Sequence, residues 1–148
     1  MEGCQMRTSI AHIQFNVRPE NIGFYKEFLG FLGWQVIAGG DGYAGMVGKN
    51  GESLWFLGYA KDAVSDYDGA GMNHLAIGAE TQSDVDTAAE FLTGRGVELL
   101  FETPRHRPDF SQSESDTYYQ IMFETPDRIL MEFVSTGPKS AEPALRGA

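Results

Sequence analysis

The sequence predicts an α+β fold built from two β-α-β-β-β modules, and three observations carry that prediction. Apolar residues alternate with period two in several short runs, and two longer runs repeat them at helical spacing. Landmarks of the first half then recur in the second at a nearly constant offset. His12 and His74 are 62 positions apart, whereas Phe28-Leu29 and Phe91-Leu92, like Gly33 and Gly96, are 63 apart. A duplication of this length means two similar units, neither able to bury its sheet face alone. The modules span about 9–58 and 72–135, within one domain covering residues 1–148.

In the first half, Ile13, Phe15 and Val17 alternate with His12, Gln14 and Asn16, the pattern of a half-buried strand. Its polar side consists of amides and an imidazole rather than Lys and Glu, which suits a cavity wall. Arg18-Pro19-Glu20-Asn21 breaks the strand and opens a helix on which Phe24, Tyr25, Phe28, Leu29 and Leu32 form the apolar stripe. Gly30 and Gly33 stop it. Trp34–Ile37, Tyr43–Val47 and Ser53–Leu57 read as strands, with a glycine turn at 39–42 and an Asn-Gly hairpin at 48–51.

Residues 59–71, rich in Asp, Ser and Gly, form the connection between modules. Met72–Ala79 repeats the opening strand, with His74 in the place of His12. Ser83 to Asp86 reads as a capping box with the shorter acid, opening a helix with Val85, Ala88, Ala89 and Leu92 on its buried side. Gly94 and Gly96 end that helix, and Val97–Phe101 reads as a strand. Tyr118–Phe123 and Ile129–Val134 form a final hairpin around residues 125–128. That hairpin needs an offset of 77, which sets Trp55 opposite Glu132 and assigns 14 extra residues to a loop at 104–117. The stretch beyond Gly137, small and polar, reads as a disordered tail over about 137–148.

Bulk properties narrow the partners. The chain has 148 residues, 42% hydrophobic, with 21 acidic against 11 basic side chains for a net charge of −10. Such a balance argues against nucleic acid and against an anionic membrane surface, since both need a basic patch. An anionic substrate would need a local cluster, and Arg105-His106-Arg107 is the candidate. The single cysteine, Cys4, excludes an intrachain disulfide and reads as incidental in a mobile N-terminus. With no leading apolar run of signal type and none of membrane-spanning length, the expected location is the cytoplasm. The stretch Gly40-Asp41-Gly42-Tyr43-Ala44-Gly45 fits a dinucleotide fingerprint formally. It leads into a hairpin, with no helix N-terminus to hold a pyrophosphate.

His12, His74 and Glu132 each stand among alternating apolar residues in strands far apart in sequence. Two histidines and one carboxylate form a ligand set for a divalent ion, and Fe, Mn, Zn and Ni all tolerate it. Alternation adds Gln14 on the His12 face, an inward Trp55, and Tyr118, Gln120 and Met122 on the cavity side, leaving Ile121 and Phe123 for the helices. Arg105 and His106 are candidates for binding a substrate group from the inserted loop, His106 also as a general acid or base.

The doubled pattern, the histidine near the start of each half and the segment Phe123-Glu124-Thr125-Pro126-Asp127-Arg128-Ile129-Leu130-Met131-Glu132 resemble the vicinal oxygen chelate superfamily over residues 9–135. This group is also called the glyoxalase, bleomycin-resistance and dioxygenase superfamily. The resemblance implies a cupped mixed sheet with helices on its outer face, a homodimer, and convergence of the three ligand-bearing strands. Thr125 and Arg128 depart from the family's Asp-Pro-Asp-Gly turn, which implies a turn that is altered rather than lost. Trp55 stands where glyoxalases of the group carry a fourth, glutamate ligand, so the resemblance points away from glyoxalase turnover. It implies a metal-dependent lyase or dioxygenase acting on a small-molecule substrate that chelates the ion through adjacent oxygens. The alternative it offers is a metal-free protein that binds and sequesters a drug, as bleomycin-resistance members do.

Overall fold

The structure, a computed structural model, describes residues 6–63 and 65–139. Cys4, and the part of the expected tail beyond Lys139, lie outside the described residues. The chain divides into two compact units, Met1–Ala63 and Val64–Ala148.

In the first unit, β1 (His12–Asn16) is followed by a 3-10 turn at Pro19–Asn21 and by α1 (Ile22–Phe31). Then come β2 (Gln35–Gly40), β3 (Tyr43–Val47) and β4 (Ser53–Leu57). The sheet order is β1-β4-β3-β2, with β1 parallel to β4 and the other pairs antiparallel. The second unit repeats this plan with β5 (Leu75–Ala79), α2 (Gln82–Gly94), β6 (Arg105–His106), β7 (Tyr119–Glu124) and β8 (Leu130–Ser135). Its order is β5-β8-β7-β6, again with one parallel pair, β5 and β8.

Register makes the duplication concrete. Gln14 pairs with Trp55 and Trp55 with Gly45, just as Ala76 pairs with Glu132 and Glu132 with Met122. Trp55 and Glu132 are therefore topological equivalents, as the two sequence offsets require. The helices also end alike. Trp34 N–H reaches Leu29 O and Val97 N–H reaches Leu92 O, while Gly33 (φ 93°) and Gly96 (φ 77°) take the left-handed residue of each stop.

Each helix covers one face of its own sheet. In the first unit the Phe56 ring is stacked 4.2 Å from Tyr25 of α1 and 5.3 Å from Phe15 of β1, among buried Phe28, Leu29, Ala44, Met46 and Leu54. In the second, α2 buries Val85, Ala88, Ala89 and Leu92, and Ile121, Phe123 and Phe133 are buried as well. Full burial contributes about 1.5–3 kcal/mol for each large apolar side chain, which commits the odd-numbered positions of β7 to the interior. The even-numbered positions then belong to the opposite face.

Several local expectations are corrected. The capping box opens at Thr81, whose hydroxyl accepts from Asp84 N–H while the Asp84 carboxylate accepts from Thr81 N–H. Residue 83 cannot serve as the cap because the helix has already begun. Val97–Phe101 is not a strand: Leu99 makes a lone bridge to Phe123, and Phe101 and Glu102 turn through left-handed backbone (φ 57° and 60°). The second strand of this module comes instead from the region expected to be loop, where Arg105 and His106 pair with Gln120 and Tyr119. Gly137–Lys139 is ordered against the loop before β7, with Thr117 N–H bonded to Gly137 O and Lys139 N–H to Ser115 O. Among the described residues no helix is long and apolar enough to cross a membrane.

Candidate functional site in the second unit

On β8, Glu132 is 2% exposed, yet it projects from the sheet face turned away from α2. The face assignment follows from its partners. Tyr118 donates its hydroxyl to Glu132 Oε1 at 2.7 Å, whereas Tyr119, one residue on, donates to Asp86 of α2 at 2.5 Å. Adjacent tyrosines thus point to opposite faces, as strand geometry requires. Gln120 and Met122 share the Tyr118 face, as expected from alternation.

The other carboxylate oxygen, Oε2, lies 3.0 Å from His74 Nε2. His74 stands just before β5, not within it, and its ring orientation is set by a short relay. Asn73 Nδ2 donates to the Tyr67 carbonyl at 2.9 Å, and that carbonyl can only accept. The amide orientation is therefore fixed, and its Oδ1 lies 2.7 Å from His74 Nδ1. Nδ1 must carry the hydrogen in that bond, so Nε2 holds the lone pair in the neutral imidazole and donates to Glu132 in the imidazolium. A lone pair and a carboxylate oxygen 3.0 Å apart repel each other unless a proton or a cation lies between them.

Those contacts fit a divalent ion. An imidazole nitrogen and a carboxylate oxygen side by side are donors that would suit such an ion. Tyr118 engages Oε1 and would leave Oε2 for such an ion, and Asn73, held by the Tyr67 carbonyl, is the kind of outer partner that a metal-bound histidine has. Burial, followed by the bond to Glu132 and its charge, pushes the Tyr118 phenol up to about 12, so it stays a donor at neutral pH. Among the described residues there is no group of three or more His, Cys, Asp or Glu that could hold a metal ion. The His74–Glu132 pair is the part of the expected ligand set that the second unit supplies by itself.

In the first unit, His12, Gln14 and Asn16 share the face of β1 turned away from α1, opposite the Phe15 side. Gln14 Nε2 donates to Asn16 Oδ1 at 3.1 Å. Trp55, half-buried, lies on the same face, and its indole N–H donates to Ser53 Oγ at 3.0 Å. Its ring covers Gly45, where a β-carbon would sit 2.7 Å from the indole.

The inserted loop divides its candidates. Arg105 pairs with Gln120 and so shares the Glu132 face. His106 pairs with Tyr119, lies 4.7 Å from that ring with the two planes tilted by 43°, and contacts Thr117 Oγ1 at 2.5 Å. His106 therefore sits on the α2 side of the sheet, away from Glu132, because two neighbouring strand residues cannot face the same way. The hairpin turn survives its substitutions. Arg128 takes the left-handed position (φ 58°), and the Thr125 hydroxyl accepts from the N–H groups of Asp127 (3.3 Å) and Ile129 (3.2 Å).

Asn73 and Tyr67 were missed from sequence. Asn73 adjoins the histidine and was a legible candidate, whereas Tyr67 sits in the glycine-rich connection and contributes a backbone carbonyl, which no residue identity reveals.

Two β-α-β-β-β units, each with one parallel and two antiparallel strand pairs, define an α+β protein of duplicated glyoxalase type. The chain belongs to the Glyoxalase/Bleomycin resistance protein/Dioxygenase superfamily, whose family model matches residues 9–133. It is 40% identical over 65 residues to the uncharacterized protein YqjT of Bacillus subtilis (strain 168), a match covering 44% of this chain and 47% of that relative. The chain thus spans about half the length of the curated relative it matches. Among solved structures, a glyoxalase-type protein from Bacillus halodurans superposes with a TM-score of 0.69 at 24% identity, covering 90% of this chain and 96% of that one. A glyoxalase/dioxygenase from Nostoc punctiforme gives 0.65 at 15% identity, covering 88% and 92%. The fosfomycin resistance protein FosX from Listeria monocytogenes gives 0.59 at 18% identity, covering 88% and 94%. At these identities the structural likeness speaks for the fold.

Proposed function

We propose that this chain is a divalent-metal-dependent enzyme of the lyase or dioxygenase type, with His12, His74 and Glu132 as its metal ligands. The observation that carries the reading is the His74–Glu132 contact, in which Nε2 and a buried carboxylate oxygen stand 3.0 Å apart with their other atoms already engaged. A divalent ion held there would supply a Lewis acid for adjacent oxygens of a small substrate. His74 is held in the ligand tautomer by Asn73, and Tyr118 holds Glu132 in place by its second oxygen. Gln14 and Trp55 line the corresponding face of the first unit. The same reading includes a homodimer, supported by the apolar edge strand β2, where Val36 and Ile37 are 56% and 52% exposed.

Metal analysis of the purified protein, with titration of Co²⁺, Mn²⁺, Ni²⁺ and Zn²⁺ into stripped protein, tests the assignment. Wild type should bind one ion per chain, and His12→Ala, His74→Ala and Glu132→Gln should each lose most of that affinity. Equal and negligible uptake by wild type and His74→Ala ends the proposal.

A further inference from the structure

We propose that the Glu132 face of the second unit also binds an anionic oxygen group of the substrate, through the Arg105 guanidinium and the Gln120 side-chain amide. The inference deepens the metal-enzyme reading by giving the substrate an acid group, and it stands on separate residues.

Gln120 carries the decisive feature. The residue is 3% exposed, and Nε2 is the one buried side-chain nitrogen or oxygen among the described residues without a hydrogen-bond partner. An orphaned N–H donor at a buried site asks for an acceptor. Directly across the ladder stands Arg105, on the same face and held by contacts it can exchange. Its Nη1 lies 3.5 Å from Glu102 Oε2 and 3.5 Å from Phe101 O, and the Arg105 and Glu102 side chains are 41% and 91% exposed. An ion pair that open to water is weakly held. Two neighbouring donors, one permanently cationic, select an oxyanion over a neutral acceptor.

The loop that delivers Arg105 is built for placement. Phe101 and Glu102 both take left-handed backbone, which residues other than glycine seldom adopt. Thr103 fixes the loop on β7, since its hydroxyl donates to Leu100 O (2.8 Å) and accepts from Met122 N–H (3.1 Å). Arg107 follows on the same face, with its guanidinium 4.7 Å from the Phe110 ring and its N–H on Tyr118 O. Two arginines thus stand on the face that also carries Glu132, in a chain whose net charge is −10. Gln120 pairs with Val134, two residues from Glu132, so the two side chains start from positions roughly 7–8 Å apart diagonally across the ladder. A compact acid, with its charged group a few bonds from a pair of metal-binding oxygens, spans that distance.

The test uses the whole protein in EDTA, so that no metal contributes. Malate and 2-hydroxyethylphosphonate are titrated into ¹⁵N-labelled protein, with malamide as the neutral counterpart, while the Gln120 side-chain NH₂ signals are followed. Saturable shifts with an acid, at least tenfold weaker binding of malamide, and at least fivefold weaker binding in Arg105→Gln and Gln120→Leu are expected. The tighter of the two acids identifies carboxylate or phosphonate as the group. Unmoved Gln120 signals, or Arg105→Gln binding as tightly as wild type, overturn the proposal and leave Nε2 satisfied by a buried water. Repeating the titration with Zn²⁺ separates the two readings. Acid binding in EDTA that Zn²⁺ fails to tighten removes the metal proposal and leaves the anion site standing.

Discussion

Asn73→Ala separates a ligand-orienting role from a merely structural one. The change deletes two side-chain hydrogen bonds, to the Tyr67 carbonyl at 2.9 Å and to His74 Nδ1 at 2.7 Å. Asn73 is exposed, so each bond falls at the low end of the usual range and the fold loses about 1 kcal/mol in total. For a chain of 148 residues that lowers Tm by a few degrees. The effect on metal affinity should be larger. Removing the outer partner of a ligating histidine typically weakens binding by about 10–100-fold. Without Oδ1 the imidazole is free to rotate and to adopt the other tautomer, which takes the Nε2 lone pair from the ion. Asn73→Asp is the control: it also loses the bond to Tyr67, but it keeps an acceptor for Nδ1–H. Calorimetric titration of Co²⁺ or Zn²⁺ into the three proteins, beside their melting curves, provides the comparison. Ala should bind at least tenfold more weakly than wild type while Asp stays close to it. Equal weakening by Ala and Asp, or Ala within twofold of wild type, refutes the relay.

Other perturbations test the scaffold. Gly45→Ala places a β-carbon 2.7 Å from the Trp55 indole and should destabilise by about 1–3 kcal/mol in urea unfolding; in a Trp55→Ala background the same change should cost little, and an undiminished cost would mean the ring is not what it meets. Phe56→Ala removes the ring stacked on Tyr25 and Phe15 and should cost about 3–5 kcal/mol, a loss below 1 kcal/mol being incompatible with that packing. The Tyr118 phenol is raised from 10.0 to about 12, and that of Tyr119 is raised as well. Both therefore hold their protons more tightly in the folded state, and this contribution is complete below pH 10 and drains away as pH climbs towards 12. Unfolding midpoints between pH 8 and pH 11 should fall on the alkaline side and fall less steeply in Tyr118→Phe; identical slopes would contradict the bond to Glu132.

Much of this architecture was legible because it rests on periodicity. The stripe Val85, Ala88, Ala89, Leu92 and the strands Tyr43–Val47 and Ser53–Leu57 emerge at their expected positions, since burial of one face imposes a spacing on the chain. The equivalence of Trp55 and Glu132 followed from counting residues between landmarks, and ladder register reproduces it. Features that depend on single hydrogen bonds were harder to see. Thr81 serves as the cap where Ser83 has the same chemistry two residues later, and local sequence does not rank two hydroxyls. Arg105–His106 lies in a polar, proline-bearing stretch whose short strand is held by pairing with β7 rather than by its own alternation. That pairing puts Arg105 beside Gln120 and turns His106 the other way, a distinction a one-residue change of register would reverse.

Anomalous diffraction from crystals grown with Mn²⁺ or Zn²⁺ would show whether an ion sits between His74 and Glu132. A peak is expected about 2.1 Å from both His74 Nε2 and Glu132 Oε2, with His12 as a further ligand and Tyr118 still bonded to Oε1. A direct His74–Glu132 hydrogen bond, with no anomalous peak beside it at saturating metal, would contradict the metal proposal.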